Sequence, residues 1–246
     1  MKYKRLVISL IINILIIILG ISAYIELVVR KGFFRAFRFF TIDGNLFSVI
    51  CSILLCINQF RAIKISSTGN PKNLLLSHFL YILGLMSACT ESIIFIVVIL
   101  ILMPFAGKNC LSLINTYHNS IFHVIIPLML LFRFLFLDVR ERDLSLFQKL
   151  FGGIPMLIYG LTMLFLCIFK VFTGYGKEGD GKIPYPFLDV YHRNIIFCLF
   201  SLIFIVAFGF GIGFLYDFLN KKCENLIYPY IFKEDKEQVK QIMEMA

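Results

Sequence analysis

Long runs of apolar residues separated by short polar segments dominate this chain. Six of the runs are long enough to cross roughly 30 Å of hydrocarbon as helices, at about 1.5 Å per residue. They are Leu6 to Val29, Phe39 to Asn58, Leu74 to Met103, Ser120 to Leu137, Ile154 to Val171 and Ile195 to Tyr216. The pattern predicts an all-α polytopic membrane protein with six transmembrane helices in one bundle.

The segments between the runs are short, and none contains enough apolar residues for a separate core. We therefore predict one membrane domain over residues 1–232 and a charged cytoplasmic tail over residues 233–246. The first run has the basic start of a signal peptide, but it continues too far and lacks a small-residue cleavage site. We expect it to remain as a membrane helix.

Composition and charge support this class and exclude two others. Hydrophobic residues make up 59% of the 246 residues, more than a soluble domain of this length carries. The net charge of +9 does not indicate nucleic acid binding, because the cations are spread over both predicted membrane faces. Six spans place both termini on one side, and Lys and Arg are more numerous there. We therefore predict a multi-pass protein of the cell membrane with cytoplasmic termini.

Helix two begins with a polar group that has both a structural and a chemical interpretation. Thr41 and Asn45 are four residues apart and share one helix face. Thr41 could be an N-cap that accepts a backbone N–H, with Asp43 favoured by the helix dipole. Alternatively, the Thr41 hydroxyl is a candidate for chemistry.

Polar side chains also mark the starts of helices four and six. His118 and His123 open helix four, while Tyr185, Asp189 and His192 precede helix six. A histidine just inside an apolar run is costly without a partner, so His123 is a functional candidate, although it could also anchor the interface. Helices two, four and six all begin on the same predicted side. The three clusters can therefore meet there.

Two charged residues lie deep in the predicted spans. Glu91 on helix three and Arg133 on helix four are each about 18 to 20 Å from the outer ends of their helices. Because their depths match, we predict an intramembrane ion pair between adjacent antiparallel helices. A substrate or proton pathway is the functional alternative.

Three short motifs carry a family resemblance. Phe-Thr-x-x-x-Asn begins at Phe40, His-x-x-x-Pro begins at His123, and Pro-Tyr-Pro-Phe-Leu-Asp begins at Pro184. In this order they resemble the androgen-induced family of multispan membrane threonine hydrolases and their bacterial relatives. That family cleaves fatty acid esters of hydroxy fatty acids. The resemblance implies that Thr41 is the nucleophile and His123 the base.

The residues suit a lipid ester hydrolase. A threonine hydroxyl is a weak nucleophile at neutral pH and needs a nearby base, which His123 can supply. Asn45 could donate to the developing oxyanion, and Asp189 could orient His123, although Asp189 could instead pair with Arg193 or cap helix six. Asp43, His118, Tyr185 and His192 are expected to support or line the pocket. We expect membrane lipids or a fatty acyl ester as partner, and neither a cofactor nor a metal.

Two other functions remain open. A metal hydrolase could use His118, His123 and His192 with Asp43 or Asp189. The five-residue spacing of the first two histidines suits one helix face less well than the i, i+4 pairs of zinc sites. The other alternative is a carrier or lipid sensor without enzymatic activity, built around Glu91 and Arg133.

Overall fold

The computed structural model of the chain describes residues 4–32, 39–66, 76–96, 115–140, 143–169, 171, 188, 190 and 194–226. It contains six long helices: α1 Lys4–Lys31, α2 Phe40–Ser66, α3 His78–Phe95, α4 Tyr117–Phe136, α5 Leu146–Ile168 and α6 Ile195–Leu226. By length and composition, each contains a segment that can cross a membrane. The predicted six-span, all-α class is confirmed. The described residues form no strand, only an isolated bridge between Leu76 and Arg140.

Several helices extend beyond the apolar runs that predicted them. Helix α2 continues to Ser66 and α6 to Leu226, because helical hydrogen bonding does not require apolar side chains. Helix α5 begins at Leu146, where Ser145 and Gln148 form a capping box of reciprocal side-chain and backbone hydrogen bonds. The predicted end at Met103, most of the loop from Thr173 to Asn194, and the tail 233–246 lie outside the described residues.

Helix α3 lies at the centre of the bundle. It packs against α2, α4, α5 and α6, and most of its side chains are buried. Helix α6 is the least buried of the six spans, with Phe200, Ile203 and Phe204 exposed on its outer surface. This arrangement suits a lipid environment, where a span needs no polar outer face.

Glycines allow α5 and α6 to approach closely. A Cβ added to Gly152 would lie 3.1 Å from Cα of Gly213, and one added to Gly209 would lie 3.1 Å from Cα of Gly153. Small residues at such crossings let helix backbones pack directly in a membrane, where no hydrophobic force drives helices together. Helices α5 and α6 therefore pack closely against each other, and both also contact α3.

The bundle has two ends, which we name by a residue at each. At the Thr41 end α1 and α3 finish, and α2 and α4 begin. At the opposite end, called the Arg140 end, Asp217 forms an ion pair with Arg140 at 2.5 Å and another with Lys149 at 2.9 Å. Asn220 donates to the carbonyls of Phe134 and Asp138, at 2.6 and 3.1 Å. Helix α6 is thereby tied to α4 and α5.

Candidate functional site at the Thr41 end

Tyr24 joins the beginnings of α2 and α4. Its hydroxyl donates to the carbonyl of Ile42, and its ring packs on Phe122 with 5.0 Å between centroids. Ile42 directly follows Thr41, and Phe122 directly precedes His123. One tyrosine on α1 therefore contacts a neighbour of each proposed catalytic residue, the backbone of Ile42 and the ring of Phe122. The sequence did not single it out, because a tyrosine near the end of a span is common at membrane interfaces.

Asn45 forms a second bridge between the same segments. Its side-chain amide donates to the carbonyl of Thr41 at 2.7 Å and to the carbonyl of Phe122 at 3.1 Å. The residue is fully buried, and its Oδ1 atom has no hydrogen-bond partner. Because both amide hydrogens are occupied, donation to an oxyanion requires one of these bonds to open. The proposed oxyanion role of Asn45 therefore stays a prediction.

His123 lies in a π-helical segment, Ile121–Ile125, within α4. The N–H of Ile126 donates to the carbonyl of Ile121, five residues earlier. Pro127 follows directly and has no N–H to donate to the carbonyl of His123, so the usual hydrogen-bond ladder is interrupted there. Such wide turns are frequent at functional sites, where they redirect a side chain. The Nδ1 atom of His123 is buried without a hydrogen-bond partner.

Thr41 lies in the first turn of α2 and is half-buried. Phe39 rather than Thr41 occupies the N-cap position, since its carbonyl accepts from the N–H of Asp43 at 3.2 Å. The N-cap interpretation of Thr41 is therefore wrong, and its hydroxyl is not used as a cap. No hydrogen bond joins the side chains of Thr41 and His123 in the described part of the chain. Their direct contact stays a prediction.

His118 has a partner that the sequence did not predict. Its backbone N–H donates to Oε2 of Glu26 at 3.0 Å, and its Nδ1 lies 3.1 Å from the same oxygen. The other oxygen of Glu26 pairs with Arg30 at 2.8 Å. A carboxylate suits this position, because the first N–H groups of a helix have no partner within the helix. Glu26 therefore fixes the start of α4 on the end of α1.

The remaining site predictions depend on residues before helix six. Tyr185, Asp189 and His192 lie outside the described residues, so their predicted roles stay predictions. Among the described residues, no group of three or more His, Cys, Asp or Glu side chains is placed to hold a metal ion. Asp43 lies in the first turn of α2 and forms no ion pair with any other described residue.

The deep charges are arranged differently from the predicted ion pair. Arg133 pairs with Asp138 at 3.3 Å and donates to Oδ1 of Asn13 at 2.6 Å. Glu91 instead accepts from the hydroxyl of Ser48 at 2.8 Å. No ion pair joins Glu91 to Arg133 among the described residues.

The local chain path explains the difference. Helix α4 ends at Phe136, and the N–H groups of Leu137 and Asp138 both donate to the carbonyl of Arg133. This turn brings the side chain of Asp138 back to Arg133. Asp138 lies beyond the span, and its burial raises the pKa of its carboxyl, an effect that Arg133 only partly offsets. Arg133 thus pairs with Asp138, five residues away in sequence, instead of Glu91, which was predicted from its matching depth.

Comparison of the chain with family models, with curated proteins and with solved structures gave no match. The resemblance to the androgen-induced family therefore stays a prediction that the three motifs alone support.

Proposed function

We propose that this chain is a membrane-embedded hydrolase of fatty acyl esters, with Thr41 as nucleophile and His123 as base. The observation that supports it most is the double bridge between the start of α2 and the π-helical segment of α4. Tyr24 and Asn45 both connect backbone groups beside Thr41 to Phe122, next to His123. Preorganised backbone is what a catalytic pair requires.

The proposed reaction has two stages. The Thr41 oxygen attacks the ester carbonyl carbon while His123 accepts the hydroxyl proton. The carbon–oxygen bond of the ester then breaks, and His123 returns the proton to the departing alcohol, which leaves an acyl-threonine. Water, deprotonated by His123, then attacks the acyl carbonyl carbon. The bond to Thr41 breaks, His123 returns the proton to the Thr41 oxygen, and the fatty acid is released. In free enzymes such catalytic hydrogen bonds are often long and shorten when substrate binds.

A lipid substrate suits the surroundings of the pair. Ile42 and Phe122, which flank it, are buried apolar residues within a membrane-spanning bundle. An acyl chain can enter such a site from the bilayer without crossing water. By the family resemblance, the substrate class is fatty acid esters of hydroxy fatty acids. The Thr41 end would face outward from a cell membrane, with both termini cytoplasmic.

Labelling with a fluorophosphonate probe tests the proposal, because the probe reacts with activated hydroxyls. Purified wild type should be labelled, whereas Thr41→Val and His123→Gln should lose labelling by more than about 100-fold, as expected when a base or nucleophile is removed. His78→Gln is the matched control, since it alters a histidine at the start of α3, at the Arg140 end of the bundle. It should retain most labelling.

The labelling result also distinguishes the hydrolase from the main alternative function. If wild type stays unlabelled while a known membrane hydrolase reacts in parallel, the hydrolase proposal fails. A carrier or lipid sensor then takes its place. The buried polar groups on α1 to α4 favour that second function, because charged and polar residues inside spans often mark binding pathways.

A further inference from the structure

No cation among the described residues pairs with the buried carboxyl group of Glu91. Its side chain is fully buried on α3, within an apolar span. Oε1 accepts from Ser48, but Oε2 has no hydrogen-bond partner, and Arg133, which the sequence predicted as the ion-pair partner of Glu91, pairs with Asp138 instead. An isolated ionised carboxylate is very costly in such an environment. Glu91 must therefore hold either a cation or a proton.

Oxygen atoms from two helices surround this carboxylate. Ser87 on α3 donates to the hydroxyl of Ser48 at 3.0 Å, so both serines adjoin Glu91. Ser52 lies four residues after Ser48, on the same face of α2. Its Oγ is buried without a hydrogen-bond partner. Two buried oxygen atoms in this group, Oγ of Ser52 and Oε2 of Glu91, thus have no hydrogen-bond partner.

The chemistry of this group selects its ligand. The available atoms are a carboxylate and hydroxyls, which are oxygen ligands that hard cations prefer. One carboxylate balances one positive charge and leaves a divalent ion uncompensated. Helices α2 and α3 are also in tight contact here, because a Cβ on Gly44 would lie 2.8 Å from Cγ2 of Thr90. This favours a small ion.

We propose that Ser48, Ser52, Ser87 and Glu91 bind one sodium ion inside the bundle. The ion neutralises Glu91 and joins α2 to α3. Buried ion sites near the middle of a membrane are typical places for coupling an ion gradient to a protein's conformation. The site does not depend on the hydrolase reaction, and its readout is binding rather than catalysis.

Thermal unfolding in detergent tests the site. The chain has no tryptophan but buries Cys51, Cys56, Cys89, Cys167 and Cys198, so a thiol-reactive dye reports unfolding. For wild type, sodium chloride should raise the midpoint saturably by roughly 5 °C relative to equal choline chloride, as for a ligand well above its dissociation constant. Potassium chloride should have a smaller effect.

Three variants make the result specific. Glu91→Gln should abolish the sodium response, and Ser48→Ala should shift it to higher sodium concentrations. Should Glu91→Gln not fold, Ser48→Ala still provides the test. Ser92→Ala is the matched control on the same helix, since Ser92 is buried next to Glu91 but bonds Tyr216. It should respond to sodium like wild type.

Several results would overturn the proposal. One is an equal wild-type midpoint in sodium and choline chloride, and another is a sodium response that persists in Glu91→Gln. A wild-type midpoint that depends on pH but not on sodium would show that Glu91 holds a proton instead. Retention of radioactive sodium by wild type, lost in Glu91→Gln, would independently support the site.

Discussion

The Asp217 network at the Arg140 end and the buried polar groups near Thr41 and Glu91 differ in how fully they are hydrogen-bonded, although His78 and Asp138 also have unpartnered buried atoms at the Arg140 end. At the Arg140 end, both carboxylate oxygens of Asp217 have cationic partners. Towards the Thr41 end, the buried Nδ1 of His123, Oδ1 of Asn45 and Oε2 of Glu91 have no hydrogen-bond partner. Proteins satisfy nearly all buried polar atoms, and exceptions occur where a ligand or reaction uses them. The contrast indicates that the Asp217 network serves stability, and it makes the groups near Thr41 and Glu91 candidates for binding or chemistry.

The contrast has a direct energetic meaning. Removing one member of a satisfied network leaves its buried partner without a hydrogen bond or counter-ion, which lowers the free energy of unfolding. Removing an atom that already lacks a partner has no such cost. Substitutions in the Asp217 network should therefore lower the free energy of unfolding far more than substitutions of equally buried residues near Thr41.

The largest effect is expected for Asp217→Ala. It leaves Arg140 and Lys149 without the carboxylate that both contact, so the free energy of unfolding should fall by about 3 to 5 kcal/mol. Unfolding in detergent, followed by the thiol-reactive dye, measures this. Asp143→Ala, at an exposed carboxylate of the same end, is the control. If the free energy of unfolding falls by less than about 1 kcal/mol, the network does not have the stabilising role assigned to it.

Asn220→Ala should have the next largest effect. It deletes two donated hydrogen bonds, to the carbonyls of Phe134 and Asp138, and one accepted from Tyr81. Leaving these buried groups unsatisfied should cost about 1 to 3 kcal/mol. The same unfolding assay applies. Gly211→Ala is a suitable control on α6, because a Cβ there meets nothing within 4 Å; it should not destabilise the protein.

His123→Leu should change stability little, within about 1 kcal/mol, because it removes a buried nitrogen that has no partner. Under the proposed function it should nevertheless abolish fluorophosphonate labelling. His118→Leu is the informative comparison, since it deletes the side-chain contact with Glu26. If His123→Leu proves the more destabilising of the two, the proposed difference between partnered and unpartnered buried groups is wrong at this position.

The smallest effect is expected for Lys221→Ala, which removes an exposed ion pair with Asp143 and should cost no more than about 0.5 kcal/mol. The hydrogen bond from Lys221 lowers the pKa of Asp143 below its usual range. A lowered folded-state pKa adds stability above the unfolded-state pKa, and this is lost as pH falls through the folded-state value. The variant and wild type should therefore converge at low pH. A large difference at neutral pH would contradict this.

Sequence pattern predicted much of the fold but only part of the site. The six spans were found because each must be apolar along its own length, which is a local property. Residues Thr41, Asn45 and His123 were identified from polar residues at helix starts. Tyr24 was missed, since nothing in an apolar run shows which tyrosine contacts two other helices. The π-helical turn at His123 was also not predicted, although Pro127 signalled an interrupted hydrogen-bond ladder.

The sequence by itself determined the membrane class, the number of spans and their alternating direction, because the bilayer acts on each helix separately. Only the tertiary structure decided which polar groups meet. Glu91 and Arg133 have matching depth, yet they do not pair. The turn after α4 brings Asp138 to Arg133, and Glu91 accepts a hydrogen bond from Ser48. Depth follows from counting residues, whereas the partner of a side chain depends on the rotation and packing of whole helices.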